Sequence, residues 1–524
     1  MRNYNQELYH PVIHWRDFKL KIFIEGIIVG ILSGSVVVAF RFVLEKAETW
    51  RTKLLPFLKT QGSFAILLWF GVLISLAFIL NFMGKKEQMA GGSGIPQVKG
   101  ELIGYINMNW LKVLAVKFIG GTLAIGAGLS LGREGPSVQL GAVTAKGLSR
   151  FLKRLRIEEK YLITSGASAG LAAAFNAPLA GVIFALEELT KNFSPAVLIS
   201  AMSASLTADF ISQQVFGQKP IFNVSHLMVL PLNQYGYLIG LGIATGILGA
   251  LFNGALFKSL NLYDRVKLPQ VLKLTIPLFM AGILGFILPQ ILGGGNALVD
   301  SLTHENYGIE LLLILWLGKF LFTMLSFGSG VPGGIFLPLL VIGALTGDIY
   351  GQVLTYLYHF NPQYLQNFTI FAMAAYFTAI VKAPVTGSIL ITEMTGSFEH
   401  LLALITVSMT AYIVSDLLKS APIYDSLLDR LLNKQLTHKE VSEESPKVIT
   451  EVSVALGSEL EGKSIKDILW PENCLIVSIK RGEKEIIPKG KTKVLAGDFI
   501  YVLIDENQVV RAKSRLMKMS EGRE

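Results

Sequence analysis

Three short stretches combine glycine with proline in apolar surroundings: Gly92-Ser93-Gly94-Ile95-Pro96, Gly132-Arg133-Glu134-Gly135-Pro136 and Gly333-Gly334-Ile335-Phe336-Leu337-Pro338. In each, the glycines permit a tight turn and a close backbone approach, and the proline stands where a new helix can begin. A helix start presents unpaired N–H groups and the positive end of a macrodipole, so it attracts an anion without a full cation. That matters for passage, because a buried Arg or Lys holds an anion tightly whereas several weak donors let it bind and leave. Glu134 adds a second chemistry. A carboxylate among helix starts can occupy the anion position itself, and once protonated it loses that attraction and swings away. A structural ion pair with Arg133 or Lys117 is the competing reading of Glu134. The acidic pair Glu187-Glu188 can be read as a helix-end cap.

The elements around these residues belong in lipid. Of 524 residues, 52% are hydrophobic and 16% charged, against about a quarter charged in soluble domains. Residues 64–83, 227–257, 274–299 and 320–347 carry no charge, and roughly 20 apolar residues suffice to cross the hydrocarbon core. The net charge of +9 suggests nucleic acid, but its placement argues against that partner. Arg16, Lys19 and Lys21 precede the first apolar run, Lys85 and Lys86 follow the second, and Arg150, Lys153, Arg154 and Arg156 lie between later ones. This is the positive-inside pattern and predicts a cytoplasmic N-terminus. The first apolar run begins late and is too long for a cleavable signal peptide. A single cysteine, Cys474, excludes an intramolecular disulfide.

Zones follow from these shifts: a lead-in at 1–17, a membrane region at 18–435, a charged linker at 436–447, a compact α+β domain at 448–516 and a basic tail at 517–524. The membrane region carries a repeat. Ala177-Pro178-Leu179-Ala180-Gly181 is followed six residues later by Glu187, and Ala383-Pro384-Val385-Thr386-Gly387 six residues later by Glu393, which is read as structural. Leu129-Ser130 with Gly132, ahead of Gly141-Ala142, is echoed more loosely by Leu325-Ser326 with Gly328, ahead of Gly343-Ala344, as though the second copy were six residues longer. Duplication with Gly/Pro-broken apolar segments is the mark of a two-repeat transporter whose substrate sits near the midplane.

The three motifs, in this order and spacing, are similar to the anion-binding signatures of the CLC family of chloride channels and chloride/proton antiporters. The resemblance covers about 18–435. It implies an all-α polytopic membrane protein with an inverted repeat of broken helices, assembled as a homodimer with one pathway per subunit. Carried onto this chain, Ser93 and Tyr424 supply hydroxyls to chloride, and the backbone N–H groups of Ile335 and Phe336 complete that site, with Gly132 and Gly135 in the break around Glu134. Glu134 matches the external gating glutamate and Glu188 the internal proton-transfer glutamate. The family's channels generally carry an apolar residue at the second position, so the resemblance implies chloride/proton exchange, with a passive chloride channel as the alternative. Serine at Ser93 points to chloride, since members resembling nitrate exchangers have proline there.

Residues 449–516 resemble a second family, the RCK-C (TrkA-C) domains of potassium-transport regulators, through Leu460-Glu461-Gly462-Lys463-Ser464, Leu475 to Gly482, Ile486-Ile487-Pro488 and Gly497-Asp498. Many relatives of the membrane region carry paired CBS domains here instead. Such RCK-C domains dimerise, and some bind cyclic di-AMP, which makes Lys480 and Arg481 candidates for phosphate and Ile487 and Pro488 for adenine. The likeness to bacterial regulators implies a bacterial plasma membrane with both termini cytoplasmic. An enzyme reading rests on Gly166-Ala167-Ser168-Ala169-Gly170, a G-x-S-x-G pattern. It lacks a histidine within an apolar span, and small residues at this spacing ordinarily serve helix packing. No metal or other cofactor is expected; the substrates implied are chloride and protons.

Overall fold

The computed structural model describes residues 4–222, 227–305, 307–438, 447–472, 474–482, 484–505 and 509–520. The chain divides into two compact units, the first made of the residues up to Leu102 with Asn107–Leu428 and the second of Ile103–Ile106 with the residues from Asp429 on.

The first unit is helical throughout. Its first half contains α1 (Tyr4–Thr60), α2 (Ser63–Lys86), α3 (Ile95–Ile103), α4 (Trp110–Gly126), α5 (Glu134–Phe151), α6 (Arg156–Phe175), α7 (Pro178–Phe184) and α8 (Pro195–Phe216). Its second half contains α9 (Tyr235–Arg265), α10 (Gln270–Ile287), α11 (Asn296–His304), α12 (Ile309–Gly328), α13 (Phe336–Tyr358), α14 (Leu365–Val381), α15 (Pro384–Thr395) and α16 (Leu401–Leu417), followed by α17 (Ile423–His438). Among the described residues, nine helical segments are long and apolar enough to cross a bilayer. Helix α1 runs through 17/18 and α17 runs past 435. Most of the linker, 439–446, lies outside the described residues.

The two halves pack by one scheme. In the first, α1 packs on α8, α5 on α6 and α6 on α8; in the second, α9 packs on α16, α13 on α14 and α14 on α16. The pairs α2 with α10 and α7 with α15 join the halves. Helices in lipid gain nothing from expelling water against one another, so close backbone contact must hold them, and small residues permit it. A Cβ on Gly141 of α5 would stand 2.0 Å from the Gly166 carbonyl oxygen of α6. Helices α7, α8 and α15 each begin at proline, whose missing N–H costs nothing in the first turn.

The repeat register differs from one sequence expectation. Helices α4 and α12 end at Gly126 and Gly328, and α5 and α13 begin at Glu134 and Phe336. Both pairs are separated by the same 202 residues as Gly141 and Gly343, so no six-residue insertion separates the copies. Ser130 and Ser326 are bonded to one another, the Ser130 N–H donating to Ser326 Oγ at 3.1 Å, rather than being equivalent.

The second unit contains β1 (Lys447–Ser453), β2 (Cys474–Arg481), β3 (Lys484–Ile486), β4 (Asp498–Asp505) and α18 (Val509–Ser520). The antiparallel sheet has the order β1-β4-β2-β3. Alternation puts Val452, Ile479, Ile500 and Val502 in one core with Leu516 and Met519 of α18. Two expectations shift here. The stretch Glu485–Val494 is strand only as far as Ile486, because Pro488 removes a ladder donor and Lys489 to Thr492 turn. The basic tail begins later than 517: α18 continues to Ser520, whose carbonyl accepts from the Ala455 N–H at 2.8 Å. Residues 521–524 lie outside the described residues.

Candidate functional site

The three glycine-proline breaks are joined by backbone hydrogen bonds. The Gly92 N–H donates to the carbonyl oxygens of Gly330 (3.3 Å) and Val331 (3.1 Å), and the Gly333 N–H returns to Gly92 at 3.0 Å. Gly132 and Gly334 exchange both bonds, at 2.7 and 2.8 Å. The starts of α3, α5 and α13 therefore meet around these bridges, each a turn end with unpaired N–H groups. Gly135 lies against Ser93, so that an added Cβ would stand 2.4 Å from Ser93 Oγ. Gly132 makes room for the gating candidate: its Cβ would lie 2.3 Å from Glu134 Oε2 and 3.0 Å from the Leu337 nitrogen. Ile335 precedes the first residue of α13, and Phe336 is buried against Phe175, Phe184 and Phe377.

Buried polar side chains are normally hydrogen-bonded. Ser93 Oγ, both carboxylate oxygens of Glu134 and Tyr424 Oη are buried without a partner. Glu134 faces its own backbone N–H and that of Leu337, without reaching hydrogen-bond geometry with either. Two hydroxyl donors and an acid are thus left available at the junction of helix starts. The structural ion pair considered for Glu134 is not formed. Arg133 turns to Glu45 at 3.0 Å, and Lys117 is spent on the carbonyl oxygens of Ala90 (3.0 Å) and Gly92 (2.6 Å).

Lys117 has a counterpart that sequence reading missed. Lys319 donates to the carbonyl oxygens of Ile291 (3.0 Å) and Gly293 (2.7 Å). Gly92 and Gly94 have φ of 61° and 98°, and Gly293 and Gly295 have 63° and 98°. Gly293-Gly294-Gly295-Asn296-Ala297 is therefore the second copy of the Gly92 motif, stripped of its serine and proline. The shared signal was a glycine pair two apart with a lysine downstream.

Glu188 is buried in a π-helical turn, Ala185–Thr190, that extends α7. Its carboxylate accepts from Lys99 at 2.8 Å, and Lys99 also pairs with Asp425. Its neighbour Glu187 does cap a helix, but one from the other repeat: it accepts from the N–H groups of Val385 (3.3 Å) and Thr386 (2.7 Å) at the start of α15. Glu393 reciprocates at the start of α7, accepting from Leu179 (3.0 Å) and Ala180 (2.7 Å). The capping reading thus holds for Glu187, whereas Glu188 caps no helix among the described contacts and pairs with Lys99. Lys99 and Asp425 were not foreseen.

In the second unit, Lys480 and Ile487 are exposed and Pro488 is half-buried. Arg481 is committed elsewhere: Nε and Nη2 donate to the two Asp498 carboxylate oxygens at 2.8 Å each, and Nη2 also reaches the Lys493 carbonyl at 2.9 Å. Asp498 receives the Leu495 N–H as well. Burial works against its charge, but these donors outweigh it and hold the carboxyl below the usual carboxylate range. The Ser168 hydroxyl is bonded to Ser205 at 2.6 Å, and Gly166 and Gly170 lie against Gly141 and Ser137, so the G-x-S-x-G stretch packs helices.

The family model described as voltage gated chloride channel matches residues 71–416. The chain belongs to this family. The model of the TrkA-C domain matches residues 449–517. The H(+)/Cl(-) exchange transporter ClcA of Citrobacter koseri is 35% identical over 438 residues, covering 79% of this chain and 90% of that protein. ClcA of Vibrio cholerae is 36% identical over 437 residues, covering 80% and 92%. Among solved structures, a slow cyanobacterial Cl-/H+ antiporter superposes with a TM-score of 0.75 at 31% identity, covering 79% of this chain and 98% of that one. A CLC-type fluoride/proton antiporter, at 24% identity and a TM-score of 0.64, shares the fold. The membrane unit is thus a CLC-type fold of two inverted repeats with broken helices, and the relatives of known activity are transporters rather than enzymes.

Proposed function

We propose that this member of the voltage-gated chloride channel family is a secondary transporter exchanging chloride for protons. The observation that carries the reading is the pair of buried acids on one chain. Glu134 stands unpartnered among three helix starts, and Glu188 is buried within a turn extending α7. Tyr424 is buried with its hydroxyl unpartnered. Chloride would bind to the Ser93 and Tyr424 hydroxyls and to the N–H groups at Ile335 and Phe336. Glu134 in its charged form competes for that position and leaves it on protonation, which ties one proton event to one anion event. Glu188 serves protons on the other side. The exchange named in the ClcA relatives supports the same reading.

Purified protein in liposomes tests it, with a chloride gradient as the sole driving force. Uphill proton movement is expected, and it should vanish in Glu134→Ala and Glu188→Ala while chloride still passes. Chloride flux without proton movement in the wild type would make the protein a passive channel.

The family resemblance further supports a homodimer in a bacterial plasma membrane with cytoplasmic termini, which cross-linking and terminal epitope accessibility test. For the TrkA-C domain the proposal is a ligand-responsive regulator. With Arg481 held by Asp498, a phosphate of cyclic di-AMP would fall to Lys480, beside exposed Ile487. Calorimetry on the full chain should show heat that Lys480→Ala removes; no heat at high micromolar ligand would sink the nucleotide reading.

A further inference from the structure

Lys99 sits in α3, the helix that begins at the Ser93 break, and its side chain is only 4% exposed. It touches two acids: Glu188, also 4% exposed, and Asp425, 29% exposed at the first turn of α17. Asp425 turns its second oxygen to Lys191 at 2.6 Å, and Lys191 is 56% exposed. These four side chains form a line that grades from the buried Glu188 to water. The other acid on α3, Glu101, is paired with Lys146 and takes no part.

A buried ion pair that loses one partner leaves a costly isolated charge. If Glu188 took up a proton with Lys99 as its sole partner, the ammonium would be stranded. Asp425 prevents this, because Lys99 already shares it. The cluster is neutral with Glu188 charged and carries one net positive charge with Glu188 protonated. Tyr424, whose buried hydroxyl has no partner, precedes Asp425 in the first turn of the same helix.

We propose that Lys99 is a positioning residue for the internal proton step, holding Glu188 when charged and resting on Asp425 when Glu188 is protonated. Asp425 and Lys191 then form the water-exposed end by which protons reach Glu188. In the step, a proton from the aqueous side forms an O–H bond on a Glu188 carboxylate oxygen, and the Lys99 N–H to Glu188 hydrogen bond breaks. The positive charge left on the cluster favours an anion near Tyr424, which links proton uptake to chloride occupancy. This inference rests on the exchange reading.

The test uses the full chain in liposomes, with proton and chloride fluxes measured on the same preparation. In Lys99→Met, proton flux should fall at least tenfold while chloride flux stays within about threefold of wild type; Lys99→Arg should keep the wild-type ratio. Asp425→Asn should lower the proton-to-chloride ratio by a smaller factor. A purely structural role would lower both fluxes together, so an unchanged ratio in Lys99→Met overturns the inference alone. Loss of both fluxes in Lys99→Met with failure of Lys99→Arg to restore them overturns it as well. A wild type that moves no protons overturns the exchange reading and this inference with it.

Discussion

At the scale of single residues, the site is defined by what each side chain is denied. Ser93 and Tyr424 hold hydroxyl protons with no protein acceptor, and Glu134 holds a carboxylate with no cation. A hydrogen bond to a charged acceptor contributes about 1.5–3 kcal/mol, and about 1.4 kcal/mol is tenfold in affinity. Ser93→Ala should therefore weaken chloride binding roughly ten- to a hundredfold, read by calorimetry in detergent. Gly132→Ala tests space rather than donors. Its Cβ would stand 2.3 Å from Glu134 Oε2, so the carboxylate must leave its present position. The expected outcome is continued chloride passage with proton coupling lowered, because an acid pushed from the junction no longer competes with the anion. Glu134 was legible as a candidate because its glycine-proline motif has its own local chemistry, whereas Ser93, Glu188 and Tyr424 were named through the family resemblance. Lys99 was not. Its partners Glu188 and Asp425 lie 89 and 326 positions away in the chain, and no periodicity marks a pairing of that kind.

At the scale of elements, the repeat is held by its own acids. Glu187 of the first copy caps α15 of the second, and Glu393 of the second caps α7 of the first. An acid at a helix start satisfies orphan N–H groups and meets the positive end of the dipole. Losing such a cap costs about 0.5–2 kcal/mol, so Glu187→Ala and Glu393→Ala should each lower the melting temperature in detergent by a similar amount. The proton-to-chloride ratio should stay at the wild-type value in both, which separates Glu187 from Glu188 by function. The Pro178 and Pro384 copies could be read from sequence because a capping acid and a helix-starting proline both survive in each. The copy of the Gly92 motif could not. Gly293 to Ala297 keeps the backbone turn and the lysine beneath it, but has lost the serine and proline that gave the first copy its chemical signature. Backbone geometry outlasts side-chain identity where one repeat has kept the serine and proline and the other only the turn.

At the scale of the whole molecule, two units are stabilised by different means, and acid separates them. The membrane unit rests on packed small residues and apolar helices, whereas the TrkA-C unit is a small domain with one core and a buried acid tied to arginine. Asp498 is fully buried at its side chain and its charge is kept by Arg481 and the Leu495 N–H. Its carboxyl is held below the usual range, which for an aspartate is about 3.9. A lowered carboxyl favours the folded state above that ordinary value, and the benefit disappears as pH falls through the folded one. The urea midpoint of residues 447–520 should therefore be higher than that of Asp498→Asn at pH 7. The gap should hold down to about pH 5 and narrow below about pH 4. Arg481→Ala strands the buried carboxylate, an expected loss of about 1–3 kcal/mol at pH 7 that shrinks in acid as Asp498 protonates. Equal losses at pH 7 and pH 3 would show that packing, not charge, is what Arg481 contributes. Lys480→Ala, whose side chain is exposed, should leave the midpoint unchanged at either pH, so any effect it has on a bound phosphate is separable from folding.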